Sequence, residues 1–308
     1  MPTVALTLGS GGARGLAHIG VIQWLEEHDF EIVAVAGSSI GALVGGIYAA
    51  GKLPVYRDWV CSLGRGNVLR MLDLSFSRAG LFKGEKIIAH LSSMIGDTLI
   101  EDLPIPYTAV ATDINRERPV WLNEGSLFKA IRSSIAVPTV FTPQFHQGRW
   151  LVDGGLVDPV PVAATRHVPA DLNLAVNLNH PTQDLKLPFE RPEGDPEPLG
   201  NSLKNGGGQQ WFSGILDSIR SLHKGVPEEE NSLNMVDVLF RSFDIMQAQI
   251  TESRLAAYRP DIVINLERAE GGFFDYDKAD QLIRTGYRLA EEALGHHLPR
   301  ARISRDEA

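Results

Sequence analysis

A serine hydroxyl held between glycines is the group in this chain best placed to do covalent chemistry. Gly37-Ser38-Ser39-Ile40-Gly41 matches Gly-x-Ser-x-Gly. A short apolar run at 32–36 reads as the strand entering the turn, and 40–50 as the helix leaving it. Such a turn holds its serine in a strained conformation, and the flanking glycines remove the Cβ atoms that would clash. Ser39 then stands at a helix N-terminus, where free N–H groups and the helix dipole favour developing negative charge. This is the setting of an ester hydrolase nucleophile. The competing reading is an ordinary strand–helix turn with Ser39 as its N-cap.

A nucleophile of this kind needs donors for the charge it creates. Gly9-Ser10-Gly11-Gly12-Ala13-Arg14-Gly15 follows an apolar run at 4–8 and opens an amphipathic stretch. As a dinucleotide fingerprint it fails, because Arg14 stands where the third glycine belongs and no acidic residue ends the second strand. As a phosphate loop it lacks the Lys-Ser/Thr pair, and a near miss at 46–52 continues into Leu53 within a helix. The remaining reading is an oxyanion hole, in which successive amides point at the charge of an attacked carbonyl. Each such donor is worth about 3 kcal/mol in a transition state.

The nucleophile also needs a base. None of the nine histidines has a motif around it: His18 falls within the first helix, and His146 and His167 fall in loops. Asp153-Gly154-Gly155 offers a carboxylate instead, at the end of a strand over 149–152, where open α/β sheets build their sites. The alternative is a turn aspartate bonded to its own backbone. A free aspartate, at a pKa of about 3.9, is a weak base near neutrality unless burial raises it.

The elements that position these residues follow from the apolar pattern. Strands are expected at 4–8, 32–36, 107–112, 149–152, 172–178 and 261–266, alternating with helices at 15–28 and 40–50. This is an α/β chain with a mainly parallel sheet. Gly41, Ala42, Gly45, Gly46 and Ala49 make a poor helix that packs very closely, so the 40–50 helix is expected to be buried and closed by Gly51. Residues 4–180 read as the catalytic region. From 181 to 232 the chain turns rich in Pro, Gly, Glu and Asn and reads as a flexible insertion, with a short helix at 211–222 and a solvated turn at Glu228-Glu229-Glu230. Residues 233–308 add a helix at 233–258, a last helix from the N-cap candidate Asp275 to Gly295, and a frayed tail.

Charge and cysteine usage exclude other classes. A formal net charge of −9 argues against nucleic acid as partner and against simple electrostatic docking on an anionic bilayer. One cysteine, Cys61, allows no intrachain disulfide or thiolate cluster and reads as a buried small hydrophobe. No leader and no spanning apolar run is found, so the expected setting is soluble and cytoplasmic, with peripheral membrane contact left open.

Glycine loop, Gly-x-Ser-x-Gly and Asp-Gly-Gly, in this order, resemble the patatin-like phospholipase family over roughly residues 4–179. Supporting stretches are Gly15-Leu16-Ala17-His18-Ile19-Gly20, Ala111-Thr112-Asp113, Ile131-Arg132-Ser133-Ser134-Ile135-Ala136-Val137-Pro138 and Leu151-Val152-Asp153-Gly154-Gly155. The resemblance implies a three-layer α/β/α sandwich, a Ser39–Asp153 dyad without histidine, and hydrolysis of acyl esters in lipids with no metal or cofactor. Amides of Gly11, Gly12, Ala13 and Ile40 are the expected oxyanion donors, with Gly9, Arg14, Gly15, Gly37, Gly41, Gly154 and Gly155 completing the motifs. One departure stands out: the family's loop often reads Asp-Gly-Gly-Gly-x-Arg-Gly, and here Ser10 replaces its first loop glycine. Rival functions are a weakly active or inactive regulatory scaffold with a surface on 211–258, and a nucleotide-binding domain that fails its own motif checks.

Three further features carry expectations. Arg14 either steers a phosphate head group or pairs with an acid to fix the loop, the structural role being favoured. Asp113 ties down a neighbouring loop. Residues 57–86 interleave Trp59, Val60, Leu63, Leu69, Met71, Phe76 and Phe82 with Arg57, Arg65, Arg70, Arg78, Lys83 and Lys86. That mixture suits a lid touching lipid head groups and tails, or else a helical cap packed on the core. Acyl length, head group and oligomeric state are not encoded in any motif.

Overall fold

A computed structural model describes residues 1–64, 80–182 and 235–297. The first half of the chain runs β1 (Thr3–Leu8), α1 (Ala17–Glu27), β2 (Glu31–Ser38), α2 (Ile40–Ala49), α3 (Leu53–Cys61), β3 (Gly80–Phe82), α4 (Glu85–Ile95), β4 (Tyr107–Asp113) and β5 (Arg118–Leu122). It continues through α5 (Leu127–Ser134), β6 (Thr139–Phe141), β7 (Gln144–His146), β8 (Arg149–Asp153), β9 (Leu172–His180), α6 (Met235–Tyr258), β10 (Ile262–Glu267) and α7 (Ala279–Leu294). Eight strands form one sheet in the order β10-β9-β1-β2-β4-β8-β7, with β5 also paired to β4. The β10-β9-β1-β2-β4 run is parallel, whereas β5, β7 and β8 pair antiparallel. A separate parallel pair joins β3 and β6.

The sheet is covered on both faces, which is why its central strands read as continuous apolar runs. Alternate residues of β9 point into two cores. Leu174, Val176 and Leu178 join the large core with α1, α2 and α7, while Ala175 packs with Val160, Val162, Leu255 and Tyr258 beneath α6. The architecture is therefore the expected three-layer α/β/α sandwich, and β10 and α7 belong to the same sheet and core as β1. All six expected strands are present. The local pattern did not reveal β3, β5, β6 and β7, which are short: β3 and β6 form the separate pair, β7 ends the main sheet and β5 pairs with β4.

Several local expectations are refined. The first helix begins as a tight 3-10 turn at Gly12–Leu16 before α1 becomes regular. α2 is wholly buried despite its glycines, and Gly51 (φ 68) turns the chain so that Lys52 N–H reaches Ile47 O at 3.0 Å. Asp275 precedes another 3-10 turn, and its carboxylate accepts Gly272 N–H at 3.0 Å and pairs with Lys278 at 2.6 Å; no side-chain cap bond forms. Cys61 is exposed, not buried, because it ends α3 on the side away from Tyr56 and Val60, the helix's inward residues. The insertion from 183 to 232 with its 211–222 helix and acidic turn, the tail from 298 and the basic-apolar stretch 65–79 lie outside the described residues.

Candidate active site

Ser39 sits between β2 and α2 with φ 58 and ψ −125, a backbone conformation that non-glycine residues rarely adopt. Such a residue costs on the order of 1–3 kcal/mol and persists only when its surroundings hold it. Here its N–H donates to Ser134 Oγ at 2.9 Å, whose own hydroxyl donates to Val110 O at 2.6 Å. The neighbouring Ser38 hydroxyl donates to Asp158 O at 2.6 Å. On the far side of the turn, a Cβ on Gly41 would fall 2.2 Å from Leu8 O, so α2 can lie this close to β1 only with glycine there. Gly37, at the end of β2, is packed just as closely against Gly41.

Asp153 reaches Ser39 by a route the local sequence does not reveal. It is the last residue of β8, and β8 runs antiparallel to β4 with Asp153 opposite Ala111. The carboxylate therefore comes down over the carboxyl edge of the parallel strands; it does not end one of them. Its Oδ2 accepts the Ser39 hydroxyl at 2.5 Å, and its Oδ1 accepts Gly155 N–H at 2.7 Å. Asp153 N–H donates to Ala136 O at 2.9 Å and its carbonyl accepts Thr112 Oγ1–H at 2.8 Å. Gly154 and Gly155 continue into a 3-10 turn that carries the chain away. Complete burial pushes the carboxyl pKa up to about 7, although the bonds from Ser39 and Gly155 pull the other way.

The glycine loop crosses the same end of the sheet. Gly9 N–H donates to Val176 O at 3.0 Å and Ser10 N–H to Pro159 O at 2.8 Å, which pins the start of the loop. The N–H groups of Gly11, Gly12 and Ile40 find no acceptor among the described residues. Ala13, expected with them, gives its N–H to Phe273 O at 2.9 Å, because the 271–276 segment lies across the loop. Gly15 packs on the Ile40 side chain. His18 donates from Nε2 to Gly9 O at 2.8 Å; burial lowers its pKa to about 4, so it holds the loop as a neutral ring.

Arg14 is 2% exposed, and its guanidinium meets Asp244 Oδ1 at 3.0 Å, Asn179 Oδ1 at 3.3 Å and Gly271 O at 3.3 Å. The side chain thus fixes the loop and is withdrawn from any phosphate in solution. Asp113 accepts from the Asn115 and Arg116 N–H groups, each at 3.1 Å, and so ties its own loop.

Three partners went unread in the sequence. Asp244, Gln247 and Arg254 lie along α6. Arg254 donates to Val157 O at 3.1 Å and faces Asp158 Oδ1 at 3.7 Å, while the Gln247 amide lies against Gly155. Their signal was a polar stripe at helical spacing, with Gln247 and Thr251 both buried on it.

Beside Ser39 opens an apolar pocket of about 910 Å³, counting its open mouth. Ile40, Leu43, Trp59, Val60, Leu63 and Leu91 are among its walls, and Phe141, Phe273 and Tyr276 close other sides. In the 57–86 stretch Trp59, Val60 and Leu63 thus face the pocket, whereas Arg57, Lys83 and Lys86 are exposed. Among the described residues, no three His, Cys, Asp or Glu side chains gather as a metal ion would need.

Comparison with known proteins places these features in context. A model of the patatin-like phospholipase family matches residues 6–166. The chain is 37% identical to an uncharacterized NTE family protein of Mycobacterium bovis, covering 95% of this chain and 91% of that one. The same identity and coverage hold for a protein of that description from Mycobacterium tuberculosis. The lysophospholipase nte1 of Emericella nidulans is 35% identical across 57% of this chain, a region amounting to 12% of the fungal protein.

Proposed function

The chain belongs to the patatin-like phospholipase family, and from that premise we propose that it hydrolyses acyl esters of lipids with Ser39 as nucleophile and Asp153 as its base. The observation that carries this reading is the 2.5 Å hydrogen bond from Ser39 Oγ to a buried carboxylate beside an apolar pocket. Family membership and the similarity to a fungal lysophospholipase favour the lipid ester as substrate class.

In this mechanism Asp153 Oδ2 takes the Ser39 proton as Oγ attacks the ester carbonyl. The N–H groups of Gly11, Gly12 and Ile40, which lack other acceptors, receive the developing oxyanion. As the tetrahedral intermediate collapses, the leaving alcohol takes the proton from Asp153 and the acyl group stays on Ser39. A water deprotonated by Asp153 then attacks the acyl-enzyme, releases the fatty acid and restores the serine. A carboxyl raised to about 7 is matched to this work near neutrality, far better than an ordinary aspartate. The apolar walls hold the acyl chain.

Turnover of p-nitrophenyl esters of graded acyl length tests the reading. Each methylene buried in the pocket is worth about 0.8 kcal/mol, so kcat/KM should climb by up to roughly fourfold per carbon until the pocket is full. A folded protein that turns over none of these esters would favour the scaffold reading instead.

A further inference from the structure

The pocket beside Ser39 carries two hydroxyl groups that the dyad does not use. Tyr56 on α3 and Tyr276 both line it, and apart from Ser39 they are the only hydroxyl-bearing side chains among its described lining residues. Tyr56 is 1% exposed. Neither tyrosine hydroxyl meets a hydrogen-bond partner among the described residues. Tyr107, likewise buried, behaves as such a group ordinarily does and donates to Ala42 O at 2.7 Å.

An unpaired hydroxyl in an apolar wall costs free energy that a phenylalanine would avoid. Phe141, Phe273 and Phe274 fill other parts of the same wall without one. The two hydroxyls are thus surplus to packing, and a bound molecule can supply the partner they lack.

Their place indicates which part of that molecule they meet. Burial pushes the Tyr276 pKa up to about 12, and the Asp153 carboxylate adds to the rise, so this hydroxyl lies within the field of the base. The Tyr56 pKa is raised by burial and then by Tyr276, so the second hydroxyl lies near the first. Both groups stay protonated at neutral pH and can donate. The polar part of the wall is therefore at the reacting end of the pocket.

Both side chains are held from behind. Tyr276 N–H donates to Phe274 O at 2.8 Å, and Phe273 O takes the Ala13 N–H at 2.9 Å, so this segment is clamped to the glycine loop. Tyr56 stands within a nine-residue helix, its ring 5.7 Å from that of Trp59. Donors fixed in this way lose little freedom when a ligand oxygen arrives.

Resting on the reading that this pocket holds the acyl chain, we propose that Tyr56 and Tyr276 form a polar subsite for an oxygen substituent near the carboxyl end of that chain. The preferred substrate is then a hydroxyacyl ester and not a plain fatty acyl ester. In the mechanism above the ester carbonyl goes to the amides of Gly11, Gly12 and Ile40, so the oxygen met by the tyrosines is a further one.

Isothermal titration calorimetry of the full chain with octanamide, 2-hydroxyoctanamide and 3-hydroxyoctanamide tests this. The three probes share a chain length and a neutral carbonyl and have no leaving alcohol, so their differences report the hydroxyl alone. A hydroxylated amide should bind about tenfold more tightly than octanamide, as two added hydrogen bonds of ordinary strength give. Tyr56→Phe and Tyr276→Phe should each cut that preference to about threefold, and the double variant should abolish it. Octanamide itself should bind every variant as it binds the wild type. Octanamide binding the wild type as tightly as both hydroxylated amides would overturn the subsite, because water would then serve the two hydroxyls equally well. So would a preference that survives the double variant, or a wild type that binds none of the three. Hydrolysis is not read in these titrations; a failure of the Ser39–Asp153 assignment shows instead in the turnover of unsubstituted p-nitrophenyl esters.

Discussion

Arg14 and Asp244 lie far apart in the chain and meet at 3.0 Å, tying the glycine loop to the middle of α6. With Arg254 holding Val157 O and facing Asp158, and the Gln247 amide against Gly155, one helix grips both the loop and the turn after Asp153. A helix outside the family-matched region thus sets the distance between the glycine loop and Asp153.

Breaking that ion pair should destabilise the protein. Arg14 is nearly fully buried, and removing its partner leaves a charge that two weaker acceptors only partly satisfy. Asp244→Ala should cost about 3 kcal/mol in urea denaturation, and the kcat of the folded enzyme should fall further than KM rises. A stability within about 0.5 kcal/mol of wild type would contradict the role given to the pair.

Hydrolysis should follow a single ionisation near pH 7. In the proposed mechanism Asp153 works only as the carboxylate, and its pKa is raised to about 7, so activity should be full above that pH and fall tenfold per unit below it. Between pH 8 and pH 5, kcat/KM for an uncharged ester should drop about a hundredfold. A profile flat down to pH 5 would mean that the base is not a buried carboxyl.

The same shift acts on stability with the opposite preference. The folded pKa lies above the unfolded value of 3.8, so between about pH 4 and 7 the folded state holds more protons than the unfolded one. The penalty for burying the carboxylate is absent below that window and complete above it, on the order of 4 kcal/mol. Asp153→Asn escapes it. The variant should therefore melt higher than wild type at pH 8, and the gap should close toward pH 5, while turnover is lost at both.

Narrowing the pocket should change the preferred acyl length and spare the chemistry. Leu63 lines the pocket near the end of α3 and is only partly buried, so it can accept a larger ring without disturbing the core. Leu63→Trp should lower kcat/KM for long-chain esters at least tenfold and leave acetate esters near the wild-type rate. Equal losses on both would place the acyl chain elsewhere.

What could be read from the sequence depended on how local each cause is. The Val4–Leu8 run announces a buried strand because both faces of β1 are covered, and the small residues of α2 announce a helix pressed on a sheet because no larger residue fits. Ser39 was legible because the strain of its turn must be relieved by immediate neighbours. The direction of β8 was not, since pairing with β4 is decided across the sheet and leaves no mark on Arg149-Trp150-Leu151-Val152. Ala13 looked like an oxyanion donor because the acceptor that takes its amide, Phe273 O, arrives from the far end of the chain. Cys61 was misread from the habit of its residue type, whereas its exposure follows from the face of α3 it falls on.

Covalent labelling by a fluorophosphonate tests the central claim most directly. Such a probe needs an activated serine and a place for its oxyanion, and peptide mapping by mass spectrometry reads the modified residue. Wild-type protein should gain one adduct, on Ser39, faster at pH 8 than at pH 5; Ser39→Ala should gain none, and Asp153→Asn should label at least a hundredfold more slowly. An adduct on another residue, or undiminished labelling of Ser39→Ala, would contradict the assignment of Ser39 as the nucleophile.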